Sequence, residues 1–163
     1  CTGKSELSEF LAAEFRTVWV EEYARQYLDA LERPYGPDDL KHIARGQLAL
    51  EDSTYREANE VLICDTNLYV IKVWSEFKYR YCDPEILNAI RERRYDLYLL
   101  TYVDIPWIAD PLREHPDQRE VLYSIYLREM QNQPVPFIEI KGNREQRQTR
   151  AKESIRKLLE GGL

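Results

Sequence analysis

The sequence predicts an α/β fold, a parallel sheet with helices on both faces. Three observations predict it. Short β-branched or apolar runs alternate with segments whose apolar residues recur at helical spacing, the pattern of linked βαβ units. One run, Val61-Leu62-Ile63-Cys64, is apolar throughout and ends in Asp65, as in a strand buried on both faces of a parallel sheet. The tripeptide Gly3-Lys4-Ser5 stands directly before an amphipathic segment.

Taken in order, Leu7, Phe10, Leu11 and Phe15 predict a helix over residues 4–15, and Thr17-Val18-Trp19-Val20 a strand. Residues 22–33 read as a helix stopped near Pro34, and Pro34-Tyr35-Gly36-Pro37 as a loop. A long helix follows over 37–58, then the strand 61–64 and a helix over 68–79. Asp83-Pro84 caps and opens a shorter helix. Residues 96–101 form a strand. Residues 103–117 hold three prolines and many charges, which predicts a functional loop or lid. A helix over 117–131 should turn Leu122, Ile125, Tyr126 and Met130 inward, and a strand follows over 136–140. Asn143 caps a last helix that should bury Ile155, Leu158 and Leu159 and end at Gly161-Gly162.

The length of 163 residues suits a single domain, residues 1–163. The net charge of −6 leaves no basic excess to neutralise a phosphate backbone, which argues against nucleic acid as partner. No apolar run is long enough to span a membrane, and no signal-peptide pattern opens the chain. Cys1, Cys64 and Cys82 form no CxxC pair, so they read as free thiols of a cytoplasmic protein. His42 and His115 are isolated and read as surface or packing residues.

Gly3-Lys4-Ser5 supplies the last three positions of G-x-x-x-x-G-K-[ST], the P-loop that binds ATP. Loop N–H groups at a helix N-terminus cradle phosphate oxygens, Lys4 places a point charge on the β- and γ-phosphates, and Ser5 offers its hydroxyl to Mg²⁺. By itself the tripeptide is also an ordinary solvated helix start. The helix, the strand after it and the later strand ending in Asp65 favour the P-loop. The first glycine would lie upstream of Cys1, so upstream residues are expected.

Asp65 stands where a Walker B acid would. It can hold Mg²⁺, take the proton of an acceptor hydroxyl, or cap the helix that follows. Glu21 and Glu22 end the preceding strand at the same edge, as substrate contacts, as a base, or as a charged turn. Arg25, one helical turn on, can pair with them or reach a substrate. Arg113 and Arg119 lie in or beside the lid, where arginines meet a transferring phosphoryl group or pair with nearby acids. Trp107 can stack on a flat ring or pack in the core, whereas Trp19 and Trp74 read as core. Together these residues describe a P-loop small-molecule kinase acting on a nucleoside-like hydroxyl. A kinase for another metabolite, or an ATP-binding regulatory module, are the alternatives.

Five stretches carry a more specific resemblance: Thr2-Gly3-Lys4-Ser5, Glu22-Tyr23-Ala24-Arg25, Ile63-Cys64-Asp65-Thr66, residues 107–113 and residues 135–140. In this order they resemble the ribosylnicotinamide kinase domain of bifunctional NMN adenylyltransferase/ribosylnicotinamide kinase proteins. The resemblance implies a P-loop NTPase fold with strand order 2-3-1-4-5, its first strand missing from this sequence. It implies ATP, Mg²⁺ and phosphorylation of nicotinamide riboside at its 5′-hydroxyl to give NMN for NAD salvage. Trp107 would then stack on the nicotinamide ring, and Asp110 and Arg113 would belong to the lid. Lys141, Gly142 and Asn143 would lie near the adenine. An adenylyltransferase domain could lie upstream.

Overall fold

The computed structural model describes residues 2–106 and 116–162. They fall into two compact units, Phe15–Arg94 and the pair of segments Cys1–Glu14 and Tyr95–Leu163.

In the unit Phe15–Arg94, β1 (Trp19–Val20) and β2 (Ile63–Cys64) pair in parallel, with Trp19 opposite Ile63 and Val20 opposite Cys64. The amide of Asp65 extends the ladder by donating to the Val20 carbonyl at 2.9 Å. Thr17 pins the entrance, where its hydroxyl donates to the Val61 carbonyl at 2.6 Å and accepts the Asn59 amide at 3.0 Å. Helices α2 (Tyr23–Asp29), α3 (Pro37–Tyr55), α4 (Leu68–Tyr79) and α5 (Pro84–Glu92) complete the unit. Its core joins Ala24, Leu40, Ile43, Ala44, Leu68, Ile71, Cys82 and Ile86, with Trp74 packed against them as expected. The Asp83 side chain caps α5 by accepting the Glu85 amide at 2.8 Å.

Two expectations need correction here. The apolar run 61–64 is half-buried rather than covered on both faces, because among the described residues of this unit β2 has β1 as its one strand neighbour. Helix α2 ends at Asp29, short of Arg33. Arg33 instead folds back on Asp39, giving both oxygens a hydrogen bond at 2.8 Å. Asp39 also accepts the Tyr27 hydroxyl and the Gly36 amide, each at 2.7 Å. The Arg33 guanidinium, with the Gly36 amide and Tyr27, holds the Asp39 carboxyl well below the usual carboxylate range against the opposing effect of burial.

Gly46 in mid-α3 faces the Tyr23 ring so closely that an added Cβ would overlap it. Alanine normally favours a helix interior by about 1 kcal/mol over glycine. Here we expect Gly46→Ala to destabilise the protein by about 1–3 kcal/mol, the usual effect of overpacking, read as a lower urea midpoint. An unchanged or higher midpoint would show that the ring yields freely.

In the other unit, β3 (Tyr98–Thr101) and β4 (Phe137–Ile140) pair in parallel, Tyr98 opposite Phe137 through Thr101 opposite Ile140. Helix α1 (Lys4–Glu14) packs on α7 (Arg144–Leu159), and Leu7, Leu11 and Ala12 of the one and Ala151 and Ile155 of the other are buried. A 3₁₀ turn (Pro116–Gln118) leads into α6 (Arg119–Gln131). On α6 it is Tyr123 and Met130 that are buried, while Leu122, Ile125 and Tyr126 are half-buried. Tyr123 goes inward because its hydroxyl donates to Glu139 and its ring meets Tyr102 edge-on at 4.7 Å. Leu159 is exposed rather than buried. The helix closes there, with Gly162 donating to Lys157 and Gly161 to Leu158 at 2.8 and 3.0 Å and Gly161 at φ +76°.

Candidate functional site

Gly3 has φ +71°, a left-handed conformation that glycine adopts without cost. Its carbonyl accepts the Leu7 amide at 3.1 Å, the first turn of α1. A Cβ at this position would press on Ile105, 3.2 Å away. Lys4 is half-buried and Ser5 is exposed. The loop is tied from two sides. The Thr2 hydroxyl accepts from Thr101 at the end of β3 at 2.9 Å. The Thr2 carbonyl accepts from Arg147 Nη1 at 2.7 Å.

Lys141 and Asn143 follow β4 in the same unit. Asn143 caps α7 reciprocally with Gln146, its Oδ1 accepting the Gln146 amide at 3.0 Å and its own amide donating to Gln146 Oε1 at 2.9 Å. Lys141 Nζ lies 2.8 Å from Glu139 and 4.8 Å from the centre of the Tyr102 ring. An open groove of about 640 Å³ runs along this corner past Lys141, Gly142, Gln146 and Arg150.

Arg147 was not among the sequence-predicted site residues, yet it joins these parts. Its side chain is only 7% exposed. Besides Thr2, it donates from Nε to the Gly142 carbonyl at 2.8 Å and from Nη2 to the Tyr102 carbonyl at 2.9 Å and to Asp104. Asp104 also accepts the Gly142 amide at 2.6 Å. Burial pushes the Asp104 carboxyl up, but the Gly142 amide and the Arg147 charge outweigh it and hold the group below its usual value of 3.8. A lowered carboxylate contributes stability that is present above the unfolded value and lost as pH falls through the folded one. We therefore expect wild type to lose more stability than Asp104→Asn between about pH 6 and pH 2, measured by thermal melts across that range. Parallel acid limbs for the two proteins would rule this contribution out.

In the unit Phe15–Arg94, the parallel register sets Glu21 and Asp65 side by side at the exits of β1 and β2. Asp65 is 8% exposed. The Thr66 hydroxyl beside it is buried without a hydrogen-bond partner among the described residues. Glu22 precedes α2 without capping it through its side chain, and Arg25 is exposed on that helix. The turn is held by Gln47, buried on α3, whose Oε1 accepts the Tyr23 amide at 2.9 Å and whose Nε2 donates to the Glu21 carbonyl at 3.3 Å. Helix capping after Asp65 falls to Asn67, which accepts the Tyr69 amide at 2.9 Å. Burial, and next the Glu51 charge, push the Cys64 thiol up to about 12. Trp107, Asp110 and Arg113 lie outside the described residues. Arg119 is half-buried and donates to the Ile105 carbonyl at 2.8 Å.

Among the described residues, no group of three or more His, Cys, Asp or Glu side chains is arranged to hold a metal. No helix of the described residues is long and apolar enough to cross a membrane.

The parallel strand pairs, and the left-handed glycine that opens α1 ahead of Lys4 and Ser5, define an α/β protein of the P-loop NTPase kind. The AAA domain family matches residues 1–147, and the chain belongs to that family. It is 28% identical over 149 residues to the trifunctional NAD biosynthesis/regulator protein NadR of Salmonella typhimurium, covering 86% of this chain and 36% of that protein. With the Escherichia coli protein of the same name it shares 33% identity over 119 residues, 69% of this chain and 28% of the relative. The chain thus spans about a third of the length of these relatives. Two solved structures share the fold. A NadR protein in complex with NR superposes with a TM-score of 0.77 at 22% identity, over 96% of this chain and 48% of that one. A NadR protein in complex with NAD and AMP-PNP gives 0.77 at 19% identity, over 99% and 47%. The resemblance read from five stretches of sequence is borne out for the family and for an α/β fold of the P-loop NTPase kind.

Proposed function

We propose that this chain is a ribosylnicotinamide kinase domain, transferring the γ-phosphoryl of Mg-ATP to the 5′-hydroxyl of nicotinamide riboside to give NMN. The observation that carries the reading is the left-handed Gly3 at the start of α1, followed directly by a half-buried Lys4 and by Ser5. A helix N-terminus with such a lysine suits a polyphosphate. The relatives add the chemistry of the acceptor, since their names place them in NAD biosynthesis and the solved structures hold NR, or NAD with AMP-PNP.

In this reading the Gly3 and Lys4 backbone and the Lys4 ammonium bind the phosphates. Ser5 and Asp65 would be the donors to Mg²⁺, because a hydroxyl and a carboxylate are of the hard oxygen type that this ion takes together with nucleotide phosphates. The ion, when bound, neutralises charge on the transferring group. Asp65, or Glu21 or Glu22 at the same strand exits, takes the proton of the acceptor hydroxyl. Glu22, Arg25, Trp107 and Asp110 contact the acceptor, Arg113 meets the phosphoryl group, and Lys141 and Asn143 border the adenine. We infer that residues 1–163 form one cytoplasmic P-loop domain of strand order 2-3-1-4-5. The pairs β1–β2 and β3–β4 support that order as its 2–3 and 4–5 neighbours, and the family match runs through both units.

A second reading, a nucleotide-sensing regulatory module, is favoured by the word regulator in the relatives' names. ADP release by the full-length protein, with and without nicotinamide riboside, separates the two. Strong stimulation with NMN as product supports the kinase. ATP binding with no stimulation overturns it and leaves the module or a kinase for another metabolite.

A further inference from the structure

Arg147 buries a guanidinium among three separate backbone segments. Its Nη1 holds the Thr2 carbonyl, one residue before the left-handed Gly3. Its Nη2 holds the Tyr102 carbonyl just after β3, and its Nε holds the Gly142 carbonyl just after β4. Asp104, which receives the same guanidinium, also receives the Gly142 amide, so it closes the arrangement and balances the charge. A residue placed only for packing would not spend a buried charge this way, because removing a guanidinium from water is costly unless every donor is met. The acceptors are carbonyls of loops rather than of helices or strands, and so have no ladder partners of their own to lose.

The Thr2–Gly3 peptide is directly affected. A carbonyl held by Arg147 fixes the orientation of the peptide plane that it shares with the Gly3 N–H. That N–H belongs to the loop whose amides face the phosphates in the kinase reading, on which this inference rests. We propose that Arg147 is a positioning residue for nucleotide binding. It locks the phosphate loop to the two segments leaving β3 and β4, so that the loop is preorganised for ATP and its grip depends on the segment 141–143.

The consequence is selective. Loss of the tie should weaken nucleotide binding while leaving the acceptor site as it was. Lysine keeps the charge but lacks the planar fork that meets several carbonyls at once. Charge-assisted hydrogen bonds of this sort are each worth about a tenfold change in an equilibrium constant. In full-length protein we expect Arg147→Met to weaken AMP-PNP binding by about tenfold to a hundredfold. Arg147→Lys should recover only part of that loss. Asp104→Asn keeps the guanidinium and should fall between wild type and Arg147→Lys. The readouts are the AMP-PNP dissociation constant by calorimetry, the KM for ATP against the KM for nicotinamide riboside, and the melting temperature.

A raised ATP constant, with the acceptor KM within about twofold in a variant that melts cooperatively, supports the proposal. Two results overturn it: unchanged AMP-PNP binding in a folded Arg147→Lys protein, or equal losses for both substrates in step with the melting temperature. AMP-PNP binding needs no acceptor. A wild type that binds it without making NMN therefore refutes the kinase reading and leaves this inference to stand or fall on the variants. A wild type that fails to bind it refutes both.

Discussion

Asp65→Asn is expected to lower the turnover of phosphoryl transfer by about 10²- to 10⁴-fold, the range associated with losing a catalytic acid or base. The substitution is nearly isosteric. The Asp65 backbone is set by its own amide, which donates to the Val20 carbonyl at 2.9 Å and does not depend on the side chain. Asp65 is 8% exposed, and an amide of nearly the same volume fills the same space without creating a cavity. What is lost is the negative charge at the exits of β1 and β2, whichever of the two proposed duties it performs. Steady-state rates with nicotinamide riboside, beside AMP-PNP affinity and a thermal melt, make the check. Turnover near wild type would remove Asp65 from the catalytic set and leave Glu21 and Glu22, at the same strand exits, as candidates for the base.

The largest effect on stability is expected for Arg93→Met. Glu51 on α3 has a side chain only 1% exposed. Arg93, just past the end of α5, meets its Oε2 through Nε and Nη2, both at 2.9 Å, and reaches Asp52 through Nη1 at 2.5 Å. Removing the guanidinium leaves a buried carboxylate without its counter-charge, a change that costs about 3–5 kcal/mol. For a chain of this size that corresponds to a fall in Tm of about 6–20 °C. The double variant Glu51→Met with Arg93→Met should regain much of the loss, because a matched apolar pair carries no desolvation penalty. A single variant that melts within about 2 °C of wild type would show that water or another cation compensates Glu51.

These two positions also mark how far the sequence could be read. Helix α4 begins and ends at Leu68 and Tyr79, as its apolar spacing predicts, and Asn143 and Asp83 cap the helices expected of them. Gly3, Lys4, Ser5 and Asp65 could be singled out as candidates because their residue types suit the proposed chemistry and their neighbours carry the strand and helix patterns. Gln47, Glu51 and Arg147 were not identified. Each works through backbone groups or a distant ion partner, which leave no motif. A signal was nonetheless present. On α3, Gln47 and Glu51 continue the stripe of Leu40, Ile43 and Ala44 at helical spacing, and Arg147 opens the stripe of Ala151 and Ile155 on α7. A polar residue on an apolar stripe must be satisfied inside the protein, so such residues are worth singling out. The over-long α2 arose from the opposite blindness. Nothing local announces that Arg33 is drawn to Asp39.

Gln47 has a further effect, on the exchange of backbone hydrogens with solvent. The first amides of a helix have no acceptor within it and normally exchange readily. The Tyr23 amide opens α2, yet it donates to a side-chain oxygen of Gln47, a residue 1% exposed on a neighbouring helix. It can exchange only when Gln47 lets go, and Gln47 sits among the core positions of α3. Exchange at Tyr23 therefore reports the loosening of α3 from its neighbours rather than the fraying of α2, and its protection should exceed that of the next amides in the same first turn.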